Sequence, residues 1–205
     1  MNKISITKAS PQSLVGGQLN QMALEYMAYS LAGTKDKGII EKTFNKLWRS
    51  KQNRFSHQYA YEAKMGNQTL GMIMCYPTTL MNKLALPTFS KLFELRKWSL
   101  IKYNLQHWKE FYSMVTLKEA ENDEYHIGTL ATLPESRGLG VGTHLIHFAE
   151  EQAITQGLSK SSLTVKKENL LAIKLYERLG YQRVGKSINR RYPCTECPKY
   201  WCSAF

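Results

Sequence analysis

No stretch of this 205-residue chain stays apolar for the roughly 18–20 residues that a membrane-spanning helix needs, which excludes a helical span. The opening MNKISITKAS lacks the apolar core of a secretory signal. Cysteines are few, four in all, and without an export signal they point to a reduced, cytoplasmic setting rather than a disulfide framework. Acidic residues are scarce too: 16 Asp and Glu stand against 28 Lys and Arg, a formal net charge of +12. Divided after residues 76 and 123, the chain carries +6, +2 and +4 in turn, so the excess is diffuse and forms no basic tail. Diffuse basicity suits a nucleic-acid surface, an anionic small molecule or plain solubility, and alone it does not choose among them. Hydrophobic residues at 43% and charged ones at 21% exclude wholesale disorder. The length fits one domain, residues 1–205, with room for an insertion.

Periodicity then supplies the elements. Ile4 and Ile6 alternate with polar residues in a short strand. From about Pro11 to Ala32, Leu14, Leu19, Met22, Tyr26 and Leu31 recur at helical spacing, and Gly33 stops the helix. Residues 39–52 form a second helix with Ile40, Phe44 and Leu47 inward and a solvated stripe of Lys42, Lys46 and Arg49. Residues 58–64 and 69–75 read as a hairpin around Gly66-Asn67. An aromatic-rich, helical excursion follows at about 77–123, with Phe89, Phe93, Trp98, Tyr103, Trp108, Phe111 and Tyr112 read first as packing residues. The remainder alternates: a strand at Tyr125–Leu133, a helix at Val141–Gln156, a strand at Leu163–Val165, a short helix capped by Asn169, and strands at 181–188 and 199–205. The order defines an α/β fold with a mixed sheet and a helical insertion between the third and fourth strands.

Residues 130–143, LATLPESRGLGVGT, carry most of the chemical information. Gly138, Gly140 and Gly142 leave backbone N–H groups uncovered at a helix start, where the helix dipole favours an anion. Arg137 adds a charged donor beside them. The chain has no GxxxxGK[ST], and the dinucleotide pattern GxGxxG fails because Thr143 stands where its last glycine belongs.

What the segment does match is R-x-x-G-x-G/A, as Arg137-Gly138-Leu139-Gly140-Val141-Gly142. Downstream comes Asn169-x-x-Ala172-x-x-Leu175-Tyr176-Glu177-x-x-Gly180-Tyr181. The two together resemble the acetyl-CoA-binding motifs of the GNAT superfamily of N-acetyltransferases, firmly over about residues 120–188. The resemblance implies a GNAT-like fold whose cofactor-binding core spans about 124–188, with its fourth and fifth strands splayed around the pantetheine. It implies that N–H groups of Arg137, Gly138, Leu139, Gly140, Val141, Gly142 and Thr143 hold the pyrophosphate. It implies further that Leu130, Ala131 and Thr132 pair with the pantetheine amides, that the N–H near Leu130 polarises the thioester carbonyl, and that Asn169 reaches the pantetheine arm.

Acyl transfer to an amine needs a base for the ammonium, whose pKa is near roughly 10 if lysine-like, and an acid for the thiolate. By the resemblance Tyr176 is the acid, although its place on a helical stripe also suits a core aromatic. Two residues compete as base. Glu124 lies thirteen positions before Arg137, as in some family members, and His126 is closer to the thioester with a pKa class suited to the task. Strand alternation places Glu124, His126, Gly128 and Leu130 on one face. Relatives with a fifth-strand glutamate differ here, since Thr164 fills that position.

Cys194, Cys197 and Cys202, with Cys75 far away, fall short of a zinc set, and His144 and His147 are read as inert, so no metal is expected. The reading is therefore an acetyl-CoA-dependent N-acetyltransferase acting on a primary amine of a small molecule, protein or peptide, by direct attack in a ternary complex. Behind it stand a catalytically silent CoA-binding regulator of the same fold and, weakest, a basic nucleic-acid binder without a recognisable recognition module. No membrane partner is expected, and the oligomeric state, a homodimer included, is left open.

Overall fold

The structure, a computed structural model, describes residues 3–186 and 198–204. Its centre is one sheet of seven strands: β1 (Ser5–Lys8), β2 (Ala60–Met65), β3 (Gln68–Pro77), β4 (Tyr125–Thr132), β5 (Lys160–Lys166), β6 (Gln182–Lys186) and β7 (Pro198–Ala204). They lie in the order β1-β2-β3-β4-β5-β7-β6. Neighbours pair antiparallel except β4 and β5, which run parallel. Cys194 and Cys197 fall outside the described residues; Cys202 lies on β7.

The described residues include eight α-helices: α1 (Gly16–Leu24), α2 (Met27–Ala32), α3 (Lys37–Arg49), α4 (Thr78–Arg96), α5 (Trp98–Gln106), α6 (Trp108–Val115), α7 (Val141–Thr155) and α8 (Leu170–Arg178). On one face α7 buries Leu145, Ile146, Ala149 and Ala153 at the spacing of a single helical stripe, against Ile73, Ile127 and Leu163. On the other face Leu19 of α1 and Trp48 of α3 pack on Met72, Met74 and Ala131. The Asp36 carboxylate starts α3 by accepting the Ile39 N–H at 2.9 Å, and Asn169 starts α8 by accepting the Ala172 N–H at 3.2 Å.

The helix read over 11–32 is two helices. Glu25 takes φ +49° and breaks it, although apolar spacing continues across the break through Met22 and Tyr26. A non-glycine residue in that region needs compensation, and the Glu25 carboxylate pairs with Lys166 at the end of β5. The same ammonium stands 4.1 Å from the Tyr26 ring centroid. Lys42, Lys46 and Arg49 are exposed on α3, as a solvated stripe should be.

Residues 78–115 form the three helices α4–α6, which extend the α2–α3 layer rather than the sheet. Leu92 and Leu100 join Ala28, Ile40, Phe44 and Leu47 in one buried cluster. Polar anchors fix the join: Arg96 donates to the Ala32 carbonyl at 2.6 Å and Asn104 to the Ser30 carbonyl at 2.9 Å. The insertion's aromatics are not mainly core. Phe89, Phe93, Trp98, Trp108 and Tyr112 are exposed, because short helices laid on one side of a layer bury only one stripe each.

Phe44 is fully buried, with its ring centroid 5.4 Å from that of Phe55 in an edge-to-face contact. Phe44→Ala should lower unfolding stability by about 3–5 kcal/mol. Urea denaturation would show this as a fall in the midpoint at unchanged slope.

Candidate active site

β4 and β5 share only three pairs: Tyr125 with Ser161, His126 with Ser162, and Ile127 with Leu163. β4 continues to Thr132 and β5 to Lys166, and a gap of about 270 Å³ opens between them. Leu130, Thr132, Thr164, Lys166, Asn169 and Tyr176 are among its lining. Leu133 N–H donates to the Leu70 carbonyl on the β3 side. Alternation therefore turns the N–H and C=O of Thr132 and Leu130 into the gap, while those of Ala131 face β3.

The register between β3 and β4 slips where the gap begins. Met74 pairs with Thr129 and Cys75 with Ile127, so Gly128 is an extra residue, a β-bulge. A Cβ at position 128 would lie 2.5 Å from the Tyr76 hydroxyl, which explains the glycine. The bulge also reverses the alternation expected along the strand. His126 faces Tyr76, their rings 6.4 Å apart, on the insertion side. Leu130 packs instead with Tyr125 and Ile127 against α7. The expected common face of His126 and Leu130 is thus divided, because one inserted residue flips every side chain beyond it.

At the far end of the gap the glycine loop enters α7. Gly138 and Gly140 hold φ of +81° and +74°; a Cβ would meet open space at 138 and ordinary contact with His144 at 140, so backbone conformation, not crowding, demands glycine. The first N–H bonded within α7 is that of His144, to the Gly140 carbonyl at 3.1 Å. The N–H groups of Val141, Gly142 and Thr143 precede it and emerge at the helix's positive end. Those of Arg137 and Leu139 are used inside the loop, donating to Pro134 and Ser136 carbonyls. The exposed Arg137 side chain lines the gap. Arg137 is the residue of the loop that lines the gap, and a gap edged by unpaired strand with helix N–H groups beyond that arginine fits an extended amide chain ending in phosphates.

Tyr176 lies on α8 and is buried, its ring centroid 5.9 Å from that of Tyr181. Burial pushes its phenol above the usual range, so it stays protonated at neutral pH. Its side chain borders the gap. Asn169 borders the gap as well, with its Oδ1 committed to the α8 cap.

A second cavity of about 560 Å³ adjoins the first, walled largely by the insertion. Leu24, Met27, Gly128 and Thr164 line both cavities, so the two meet there. At its floor the Glu119 carboxylate binds Arg54 at 2.6 Å and stands 3.5 Å from His126 Nε2. Burial would raise the Glu119 pKa, but the Arg54 charge outweighs it and holds the carboxyl well below the usual range. Arg54 also faces the Tyr76 hydroxyl, whose pKa burial raises. His126 is completely buried, and its Nδ1 lies 3.3 Å from Ser162 Oγ.

Glu124 is placed differently. Its carboxylate accepts the Glu121 N–H at 2.8 Å and its carbonyl accepts the Thr78 N–H; like His126, it lines neither cavity, whereas Glu119 lines the second. Arg54, Tyr76 and Glu119 were not singled out from the sequence. Glu119 is one of four carboxylates within six residues, and its partner Arg54 is 65 positions away. Of the remaining candidates, His144 Nδ1 is 3.0 Å from the Gly140 carbonyl and His147 pairs with Glu150. Cys75 is buried, and burial pushes its thiol up to about 12. No group of three metal-ligating side chains converges among the described residues.

Comparison with known proteins agrees with this geometry. The family model "Acetyltransferase (GNAT) family" matches residues 26–181, and the chain belongs to that family. Among solved structures it resembles an N-acetyltransferase from Staphylococcus aureus Mu50, with TM-score 0.71 and 22% identity over 97% of this chain and all (100%) of the other. It also resembles Arabidopsis thaliana Naa50 in complex with a bisubstrate analogue, with TM-score 0.55 and 15% identity over 98% and 99% of the two chains. A Bacillus subtilis protein described as an uncharacterized N-acetyltransferase, YobR, is 33% identical over 60 residues. That match spans 29% of this chain and only 24% of the relative.

The Arg54–Glu119 pair sets a pH dependence. Glu119's folded-state pKa is depressed, so its stabilisation is complete above the ordinary value of 4.5 and fades as pH falls toward the lower folded value. Glu119→Gln should cost about 2 kcal/mol at pH 7, by leaving a half-buried guanidinium without its counter-charge. Thermal melts at pH 7 and pH 3 should show the difference from wild type shrinking at the lower pH.

Proposed function

We propose that this chain transfers the acetyl group of acetyl-CoA to a primary amine by direct attack, the amine entering through the second cavity. The observation that carries this is the meeting of the two cavities at Gly128 and Thr164. One holds features suited to a pantetheine and its phosphates; the other can bring a nitrogen against its inner end. Acetyl-CoA would supply the acetyl group activated as a thioester.

The chain's residues have separable roles. N–H groups at the start of α7 and the Arg137 side chain would bind the pyrophosphate. The gap-facing groups of Leu130 and Thr132 would pair with the pantetheine amides, and the Leu130 N–H would draw charge onto the carbonyl oxygen. Asn169 would border the pantetheine arm. For the base we favour His126, reached by way of Glu119, which lines the second cavity and stands 3.5 Å from its Nε2, over Glu124, whose carboxylate is bound to the Glu121 turn. Ser162 holds the other ring nitrogen of His126. An arriving ammonium first loses a proton to this pair. As the C–N bond forms and the C–S bond breaks, Tyr176 donates its proton to sulfur; the nitrogen's second proton restores the phenol, and the first leaves the His126–Glu119 pair for solvent. The balance is an amide, a free thiol and one proton released.

Tyr176→Phe should lower kcat at least tenfold while leaving acetyl-CoA affinity within about twofold, read by thiol release and calorimetry. An unchanged rate would remove Tyr176 from the reaction. Acetyl-CoA binding without thiol release from any amine would instead favour a regulatory CoA-binding module.

A further inference from the structure

The second cavity bears on which amine the protein accepts. Four charged side chains line it: Arg54, Lys118, Glu119 and Glu121. They balance, and each is already paired, Arg54 with Glu119 at 2.6 Å and Lys118 with Glu121 at 2.5 Å. A site for a polycation needs surplus carboxylates, and a site for an amino-acid or phosphate-bearing acceptor needs a surplus cation. This cavity offers neither. Its walls are apolar instead, with Met81, Phe89, Leu92, Phe111, Met114 and Leu117 among them. Uncharged polar side chains are fewer, with Asn82, Thr88 and Asn122 among them, while Tyr76, its hydroxyl against Gly128, stands with Arg54 and Glu119 beside the junction with the other cavity.

We infer that the acceptor is a monoamine carried on an uncharged apolar body, such as an arylalkylamine or alkylamine. The proposal rests on the acetyl-transfer reading and deepens it. One nitrogen is placed at the polar end, near Glu119 and Tyr76, and the apolar body lies along α4 and α6. The volume of about 560 Å³ lies within the span of small-molecule sites and exceeds what a bare amine would fill. Recognition then comes from area removed from water, not from charge. Flexible methionines at 81 and 114 let the walls adapt to bodies of different outline.

The test is an acceptor panel with acetyl-CoA saturating: phenethylamine, a linear alkylamine series, spermidine, kanamycin, and a short peptide with Met as its first residue and an amidated end. The apolar monoamines should exceed spermidine and kanamycin at least tenfold in kcat/KM. Along the alkyl series, kcat/KM should rise about fourfold per added methylene until the cavity is filled. A preference for spermidine or kanamycin, or a flat alkyl series, overturns the proposal. The peptide exceeding phenethylamine tenfold also overturns the proposal, in favour of a peptide N-terminus; the reverse supports a free amine.

Met114→Glu, at a half-buried position, should raise KM for phenethylamine at least tenfold and leave KM for acetyl-CoA within twofold. An unchanged phenethylamine KM would count against the cavity. Phe111→Ala provides a second variant should the first fold poorly. Calorimetric binding of phenethylamine to the CoA-saturated protein reads the class without turnover. Absent thiol release alongside amine binding would therefore fail the transfer reading alone, and turnover with a polyamine preference would fail this inference alone.

Discussion

The inserted residue at Gly128 is the constraint on which the functional half of the molecule depends. A bulge bends β4 as it leaves β5, after only three shared pairs. Without that departure the two parallel strands would satisfy each other, and no unpaired edge would face the gap. The same residue lets the Tyr76 hydroxyl come against the backbone, which any side chain at 128 would prevent. A sheet that simply continued would be more regular and would have nowhere to receive an extended amide chain.

The second constraint is the Arg54–Glu119 pair. Arg54 lies ahead of β2 and Glu119 lies just beyond α6, so the ion pair ties the sheet side of the structure to the inserted helices at the cavity floor. It keeps a carboxylate ionised beside a completely buried imidazole. Neighbouring Tyr76 makes the arrangement a small network, whose members depend on one another more than any single pair suggests. The insertion is therefore part of the site's wall and part of its charge balance.

The geometry of the glycine loop and of the Asn169–Tyr176 segment was legible because it is set locally. Positive φ at 138 and 140, a helix start at 141 and a cap at 169 all follow from short runs of residues. The mixed sheet was legible from the order of its elements. Other features depended on distant partners. The break at Glu25 is supported by Lys166, 141 positions on, while the local apolar spacing continues undisturbed. The division of His126 from Leu130 follows from a register slip against β3, which alternation within one strand cannot reveal. Glu119 was indistinguishable from Glu121, Asp123 and Glu124 until the fold brought Arg54 to it. The insertion's aromatics were read as packing because aromatic content alone does not say which stripe of a short helix faces inward.

The corner between α1 and α2 has a consequence of its own. Glu25 ties it to the end of β5, and its neighbours Leu24 and Met27 form wall for both cavities. One short piece of chain is thus a party wall: a shift that suits an occupant on one side alters the shape offered on the other. Thermodynamic reciprocity then requires each ligand to change the other's affinity by the same factor.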